Sequence, residues 1–295
     1  TRSIPLAQRI GERFAETGFP TPRVEAWKYT DLRRMLRTNF AAAPGGAPMP
    51  TPVVLDPWRF EGPSHLLVFV DGRFAPALSA VGALPPGVRL EPLAALLASD
   101  PAALEGHLGR VVGRESAAPA SLNTAFMGDG AVLRLDPGAV VEDPVQLLFV
   151  STGGASTVAH PRNLVLAGEG SRATLVETYT TINASADWTN TVTDIAVGPG
   201  AALHHYKLQQ EGEESYHIGL TRVRIDRDGA YTSFVMSLGA RLARNEIDVL
   251  IAGEHVECRL NGAYLLRRRQ HADNTTQVEH AGGHSRSHQV YKGVI

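Results

Sequence analysis

The sequence predicts a mainly β protein: a right-handed parallel β-helix, or stacked β-solenoid, forms the core, and a mainly helical N-terminal domain precedes it. Beyond residue 120 five segments share one design: VLRLDPGAVVEDPVQLLFV, NLVLAGEGSRATLVETYT, TDIAVGPGAALHHYKLQ, TRVRIDRDGAYTSFVMSL and EIDVLIAGEHVECRLNGAYL each read as alternating strand, tight turn, alternating strand. Their turn glycines, Gly138, Gly170, Gly200, Gly229 and Gly253, lie 32, 30, 29 and 24 residues apart. The chain also holds 29 glycines and 19 prolines with only 6% aromatics, which suits many short strands and frequent turns. One such unit cannot bury its apolar side alone, and stacking units satisfies both core and backbone hydrogen bonds. An antiparallel sandwich with hairpins at the same glycines fits the same period, and spacing alone does not separate the two.

Upstream, Leu6, Ile10 and Phe14 recur every four residues between Ser3 and Gly18, predicting a helix over about 4–17. RVEAWKYTDLRRML predicts a second helix or helix pair around Trp27 to Leu36, and AAAPGGAPMPTP a loop. HLLVFVDGRF predicts two strands about an Asp71-Gly72 turn, and EPLAALLASDPAALEGHL a helix broken before Pro101. The division falls into residues 1–115, mainly helical, and 116–295, the solenoid core.

At 295 residues the chain can bury a substantial core. A net charge of -2 gives no basic excess for nucleic acid or an anionic membrane. Neither an 18-residue apolar run nor a signal-peptide core is present, so a soluble cytoplasmic protein is expected. The single cysteine, Cys258, excludes an internal disulfide and any four-cysteine metal site built from this chain alone.

The chemical candidates concentrate near residue 280. His280, His284 and His288 have helical chelate spacing, but Gly282 and Gly283 disfavour a helix and Thr275, Thr276 and Val278 favour strand. On a straight strand His280 and His284 stand roughly 13 Å apart, so sharing a metal requires a bend at the glycine pair. His280 and His284 are kept as the candidate metal ligands; turn and surface histidines are the plainer reading. His271 and Asp273 share a strand face, an ordinary polar pair. His204 and His205 point to opposite faces, one inside and hydrogen-bonded, the other solvated. Val256, Cys258 and Leu260 alternate onto one face, which makes Cys258 a small buried hydrophobe. Arg267, Arg268 and Arg269 read as a solvated rim. GEGSRA and GPGAAL lack the Lys-Ser or Lys-Thr of a phosphate loop, and no GxSxG, HExxH or paired-carboxylate motif occurs, so no catalytic residue is assigned.

Several segments together carry a family resemblance. RVEAWKYTDLR, with Glu25, Trp27, Lys28, Tyr29, Thr30, Asp31 and Leu32, LNTAFMGDGAVL from Leu122 to Leu133, HPRNLVLAGEGSRATLVE from His160 to Glu177, and the C-terminal run of Gly253, Glu254, LNGAYL, QHADNTTQVEH and YKG follow one order. In this the chain resembles the SufB/SufD family of iron-sulfur cluster assembly scaffold proteins, and within it the SufD branch. The resemblance implies a right-handed parallel β-helix and a non-catalytic scaffold that pairs with a SufB-like subunit and engages a SufC-like ATPase. It implies no cofactor held by this chain alone, with a transient iron-sulfur cluster at a partner interface.

Two departures accompany it. The family's core and its ATPase-binding C-terminal helices extend beyond the Tyr-Lys-Gly segment, so the chain is expected to be truncated relative to the family. An unpaired solenoid end at residue 295 then predicts a further C-terminal region or self-association, a homodimer included. Where relatives carry Pro-His-Cys, this chain has Gly283-His284-Ser285, which removes a thiolate. The competing readings are a metal-binding solenoid that uses the C-terminal histidines and a β-helix enzyme acting on carbohydrate. The latter needs a groove of acids or aromatics that the sequence does not show.

Overall fold

The computed structural model describes residues 18–43, 49–109, 118–154 and 156–295. In chain order the strands are β1 (Ala41–Ala42), β2 (His65–Val70), β3 (Arg73–Phe74), β4 (Val88–Pro92), β5 (Ala131–Leu135), β6 (Val145–Ser151), β7 (Thr157–Ala159), β8 (Arg162–Ala167) and β9 (Arg172–Thr181). They continue as β10 (Trp188–Val197), β11 (Ala202–Gln210), β12 (Tyr216–Ile225), β13 (Ala230–Ser237), β14 (Leu242–Ile251), β15 (Glu257–Leu265), β16 (His271–His280) and β17 (Arg286–Val294). Two sheets result, one ordered β16-β14-β12-β10-β8-β5-β4 and the other β17-β15-β13-β11-β9-β6-β2-β3. From β8 onward the chain switches sheet at every turn, and each of β8 to β15 pairs in parallel with the strands one coil before and after it. This is a parallel β-solenoid of about six turns, which settles the choice against the antiparallel sandwich.

Alternation decides what faces inward. Val165, Ile195, Val223 and Val249 form one inward row of the first sheet, and Leu175, Leu203, Tyr231, Val235 and Leu260 line the second; all belong to one buried cluster. Phe69, Phe149 and Tyr179 stack in register, with ring centroids 4.9 and 4.8 Å apart. Offset stacks of this kind contribute about 1 kcal/mol each beyond burial.

The turns correct one detail of the sequence reading. The residues that stack at the left-handed position are Gly138, Gly170, Gly200, Asp228, His255 and His284, at intervals of 32, 30, 28, 27 and 29. Backbone amides confirm the column: Gly170 donates to Pro199, Gly200 to Arg227, Asp228 to Glu254 and His255 to Gly283. Gly229 and Gly253 sit beside this position, so the irregular interval of 24 reflects a shift in where the glycine lies within the turn. Gly253 has a different duty: a Cβ there would lie 2.0 Å from the Arg227 amide nitrogen of the preceding coil, whereas one at Gly200 would meet nothing within 4 Å.

Toward the N-terminus the helix expected over 4–17 lies outside the described residues. Of the helix or helix pair expected around Trp27 to Leu36, the structure forms two short 3-10 helices, Glu25–Trp27 and Met35–Arg37. The hairpin at Asp71-Gly72 is present, as is the helix Leu93–Ser99 that ends before Pro101. Strands from this part of the chain extend the core sheets: β2 pairs with β6 in parallel and carries β3 antiparallel at its other edge, β4 pairs with β5 antiparallel, and β1 with β7 in parallel.

Outside the first sheet, Trp27, Leu32 and Met35 pack on Trp188, Tyr216 and Ile218, and Leu93, Leu96 and Leu104 pack on Val132 and Leu164. Outside the second sheet, Leu55 covers Leu66, Val68, Leu148 and Val150.

The two kinds of turn glycine give opposite expectations. Gly200→Ala should cost about 1 kcal/mol, the strain of a left-handed non-glycine residue. Gly253→Ala forces apart backbones of adjacent coils and should cost about 3 kcal/mol. Equal losses in urea titrations of the two variants would refute this division of roles.

Candidate functional site

The solenoid interior is not uniformly apolar. On the second sheet, inward positions carry Glu177 and Lys207 in register on adjacent coils, flanked by His205 on one side and by Tyr179 and Gln209 on the other. All five are buried. The Tyr179 hydroxyl donates to Glu177 Oε2 at 2.6 Å, and Thr193, reaching across from the first sheet, donates to Oε1 at 2.6 Å. His205 Nε2 lies 3.3 Å from Oε1 and Lys207 Nζ 3.8 Å from Oε2, while His205 Nδ1 meets the Tyr231 hydroxyl at 2.9 Å. A second carboxylate, Glu211, binds His217 Nδ1 at 2.9 Å and accepts from Gln209 Nε2 at 2.7 Å. The His217 and Tyr179 rings meet edge to face at 4.8 Å. Gly219 makes room for this: a Cβ there would lie 2.9 Å from His217 Nε2 and 3.1 Å from Lys207 Nζ.

Burial opposes every charge in this cluster, and the partners decide the outcome. Burial works to raise Glu177, but Lys207, His205 and Thr193 hold it well below the usual carboxylate range. Glu211 is likewise held low by His217 and Gln209 against its burial. Lys207 is lowered by burial, with Glu177 and Glu211 opposing, and the Tyr179 phenol is driven well above its ordinary value by burial and by Glu177. The chemistry this supports is fixed, mutually compensated charge. Cys258, 1% exposed, is pushed up to about 12 by burial, so at neutral pH it is a thiol.

Two polar clamps fasten the rest of the chain to the first sheet. Asp194 binds Arg162 at 2.6 Å and Arg222 at 2.8 Å, and accepts the Gly109 amide at 3.0 Å; the two arginines hold its carboxyl low against burial. Asn123, fully buried, donates to the carbonyls of Pro161 and Asn190 at 2.8 Å and accepts from Arg162. In the second clamp the Arg244 guanidinium lies 4.0 Å from the Trp27 ring centroid and donates to the Ala26 carbonyl, while Asp273 binds both Arg244 and the Thr30 hydroxyl. His271 Nε2 stands 3.5 Å from the same hydroxyl. The 25–37 stretch is therefore not a free helix: its Ala26 carbonyl and Thr30 hydroxyl bind the solenoid.

The sequence candidates distribute as follows. His205 is inside and His204 exposed, and Cys258 lies in the core row with Leu260. Arg267 and Arg268, 71% and 76% exposed, share Glu213. His271 and Asp273 converge on Thr30. The two candidate metal ligands take different neighbours: His280 Nε2 meets the Ser287 hydroxyl at 3.0 Å, and the His284 ring stacks on His255 at 5.4 Å. Among the described residues no group of three or more His, Cys, Asp or Glu is placed to hold a metal ion. Sequence reasoning missed the Glu177–Lys207 pair. Its signal was a charge on the inward parity, Glu177 alternating with Leu175 and Tyr179, and Lys207 with Leu203 and His205.

Fold and site together define a β-solenoid with compensated charge locked inside it and an N-terminal segment clamped across one face. Comparison with known proteins identifies the group: the SufBD core domain of the SUF system for FeS cluster assembly matches residues 149–295, and the SufBD N-terminal region matches residues 7–147. The chain belongs to the SufBD family. It is 26% identical to the iron-sulfur cluster assembly SufBD family protein slr0076 of Synechocystis over 94% of this chain and 62% of that one. It is 26% identical to the iron-sulfur cluster assembly protein SufD of Escherichia coli, over 100% of this chain and 67% of the relative. It is 27% identical to chloroplastic ABCI7 of Arabidopsis thaliana, over 99% and 63%. The chain thus spans about two thirds of the length of the curated relatives it matches. Among the described residues no helix is long and apolar enough to cross a membrane.

Lys207→Met should cost about 3 kcal/mol, because it strips a buried carboxylate of its cation, and adding Glu177→Gln should recover part of the loss; an additive double variant in chemical denaturation would argue against coupling. Stability should also fall with pH in two stages. His160, lowered to about 4 by burial, stays neutral where an unfolded imidazole protonates near 6.5, so its contribution is lost as pH falls from about 6.5 to 4. Glu177, Glu211 and Asp194, held low in the folded state, contribute above the unfolded carboxylate value of about 4, and that contribution disappears at more acidic pH. In urea midpoints followed against pH, His160→Gln should abolish the first decline and retain the second.

Proposed function

We propose that this chain is the scaffold portion of a SufD-type subunit in iron-sulfur cluster assembly, pairing with a SufB-like subunit and working with a SufC-like ATPase. The observation that carries this reading is the tiling of the chain by the two SufBD family regions, in family order, from residue 7 to 295. The geometry is consistent with it. The segments that resemble the family are the ones fastening the parts together: Trp27 and Thr30 at one clamp, Asn123 and Arg162 at the other, Glu177 inside. These residues hold shape and compensate charge. In this reading the chain is non-catalytic and works in the cytoplasm, ATP hydrolysis belongs to the partner, and the cluster is cargo formed transiently at a partner interface.

Co-expression of the full-length gene with SufB-like and SufC-like subunits of the same organism should yield one complex on size-exclusion chromatography, with an iron-sulfur absorbance band after anaerobic reconstitution with iron and sulfide. Arg244→Met, which loosens the Trp27 clamp, should lower complex yield at least about threefold if the clamped segment supports assembly. Full-length chains that elute separately under these conditions would sink the reading.

A further inference from the structure

The outer faces of the two sheets differ. The first is covered over most of its strands by Trp27, Leu32, Met35, Leu93 and Leu96. Among the described residues the second is covered only at its beginning, where Leu55 and Trp58 lie over Leu66, Val68, Leu148 and Val150. Register carries those same outward rows onward. Leu66, Gln146, Val176, Tyr206, Phe234, Asn261 and Val290 form one row. Val68, Leu148, Thr178, Leu208, Met236, Ala263 and Lys292 form the next.

Beyond β9 these two rows remain mainly apolar but open, bordered by the polar row His204, Thr232, Arg259 and His288. Tyr206 is 41% and Val290 39% exposed, and Leu208, Phe234, Met236 and Ala263 are half-buried. Parallel sheets are ordinarily covered by helices on both faces, and aromatic, methionine and arginine residues are the types enriched at interface centres. The rim is basic: Arg172, Arg286 and Lys292 are exposed and, among the described residues, their side chains make no hydrogen bond or ion pair, while Arg259 is matched by Glu257. A second copy of the same face would bring these cations against one another.

We infer that the outer face of β11, β13, β15 and β17 is a docking surface for an amphipathic helix of a partner protein, its apolar stripe seated on Tyr206, Phe234 and Met236 and its flanks acidic. The surface continues one that the chain itself already covers with the helix Pro52–Leu55 and the following turn Asp56–Trp58. The occupant does the same job with a longer helix, and its acidic flanks meet the free rim cations. This inference stands apart from the cluster-assembly reading and does not depend on it.

The test uses the whole chain and a fluorescent 18-residue helical peptide with leucine at i, i+3, i+4 and i+7 and glutamate on both flanks, compared with a lysine-flanked version of the same stripe. Anisotropy titration should give a Kd of about 10 μM for the glutamate peptide and at least about fivefold weaker binding for the lysine peptide, a gap that narrows at high salt. Phe234→Asp and, independently, Tyr206→Asp should each weaken the glutamate peptide about tenfold or more with thermal unfolding unchanged. No binding, equal binding of both peptides, or insensitivity to both substitutions overturns the proposal. So does a Phe234-dependent dimer in sedimentation equilibrium, which assigns the face to a second copy.

Discussion

Everything in this molecule hangs on the parallel hydrogen-bond ladder that ties each coil to the next in strict register. Side chains alternate faces along a strand, so a slip of β9 by one residue against its neighbours would turn Glu177 outward, away from Lys207, and bring Val176 in. It would break the Phe149–Tyr179 stack and leave Thr193 without its carboxylate at the same time. Apolar rows, aromatic stacks and internal ion pairs are thus consequences of one alignment, and each also penalises departure from it.

The buried charge illustrates how demanding that alignment is. A carboxylate and an ammonium inside a solenoid are costly to desolvate, and only good geometry repays the cost. Glu177 meets this condition with two short hydroxyl donors, an imidazole and an ammonium, and Asp194 with two arginines and a backbone amide. The first network joins the two sheets through the core; the second joins the first sheet to the Gly109 region outside it.

Much of this was legible in the sequence, and the residues that were not show why. The repeat of strand and turn is local, so the solenoid could be read from spacing and alternation. Parallel pairing is a property of distant partners, which left the antiparallel sandwich open until the register was seen. Gly253 reads as a turn residue because it is a glycine. Its small size serves a close backbone approach to Arg227, while His255 occupies the left-handed position that a sequence reader expects glycine to fill. The Trp27 stretch has helical composition, and its shape is set by Arg244 and Asp273, more than 200 residues away. The parity of Lys207 with Leu203 and His205 was visible, but that an inward lysine meets a glutamate depends on which strand lies alongside.

The coil-by-coil ladder also gives the chain a mechanical character. Each strand from β9 onward is held mainly by neighbours about 30 residues away in sequence, and among the described residues no distant strand crosses the stack to lock it. Pulled from its C-terminal side, the solenoid should yield as a zipper, one coil at a time, each rupture paying out roughly 100 Å of chain. The Arg244–Trp27 clamp lies across that path, on the strand β14, which pairs with β16 of the following coil. Unravelling that reached β14 would halt there, so the coils on the N-terminal side of the clamp are stiffer than those that follow it.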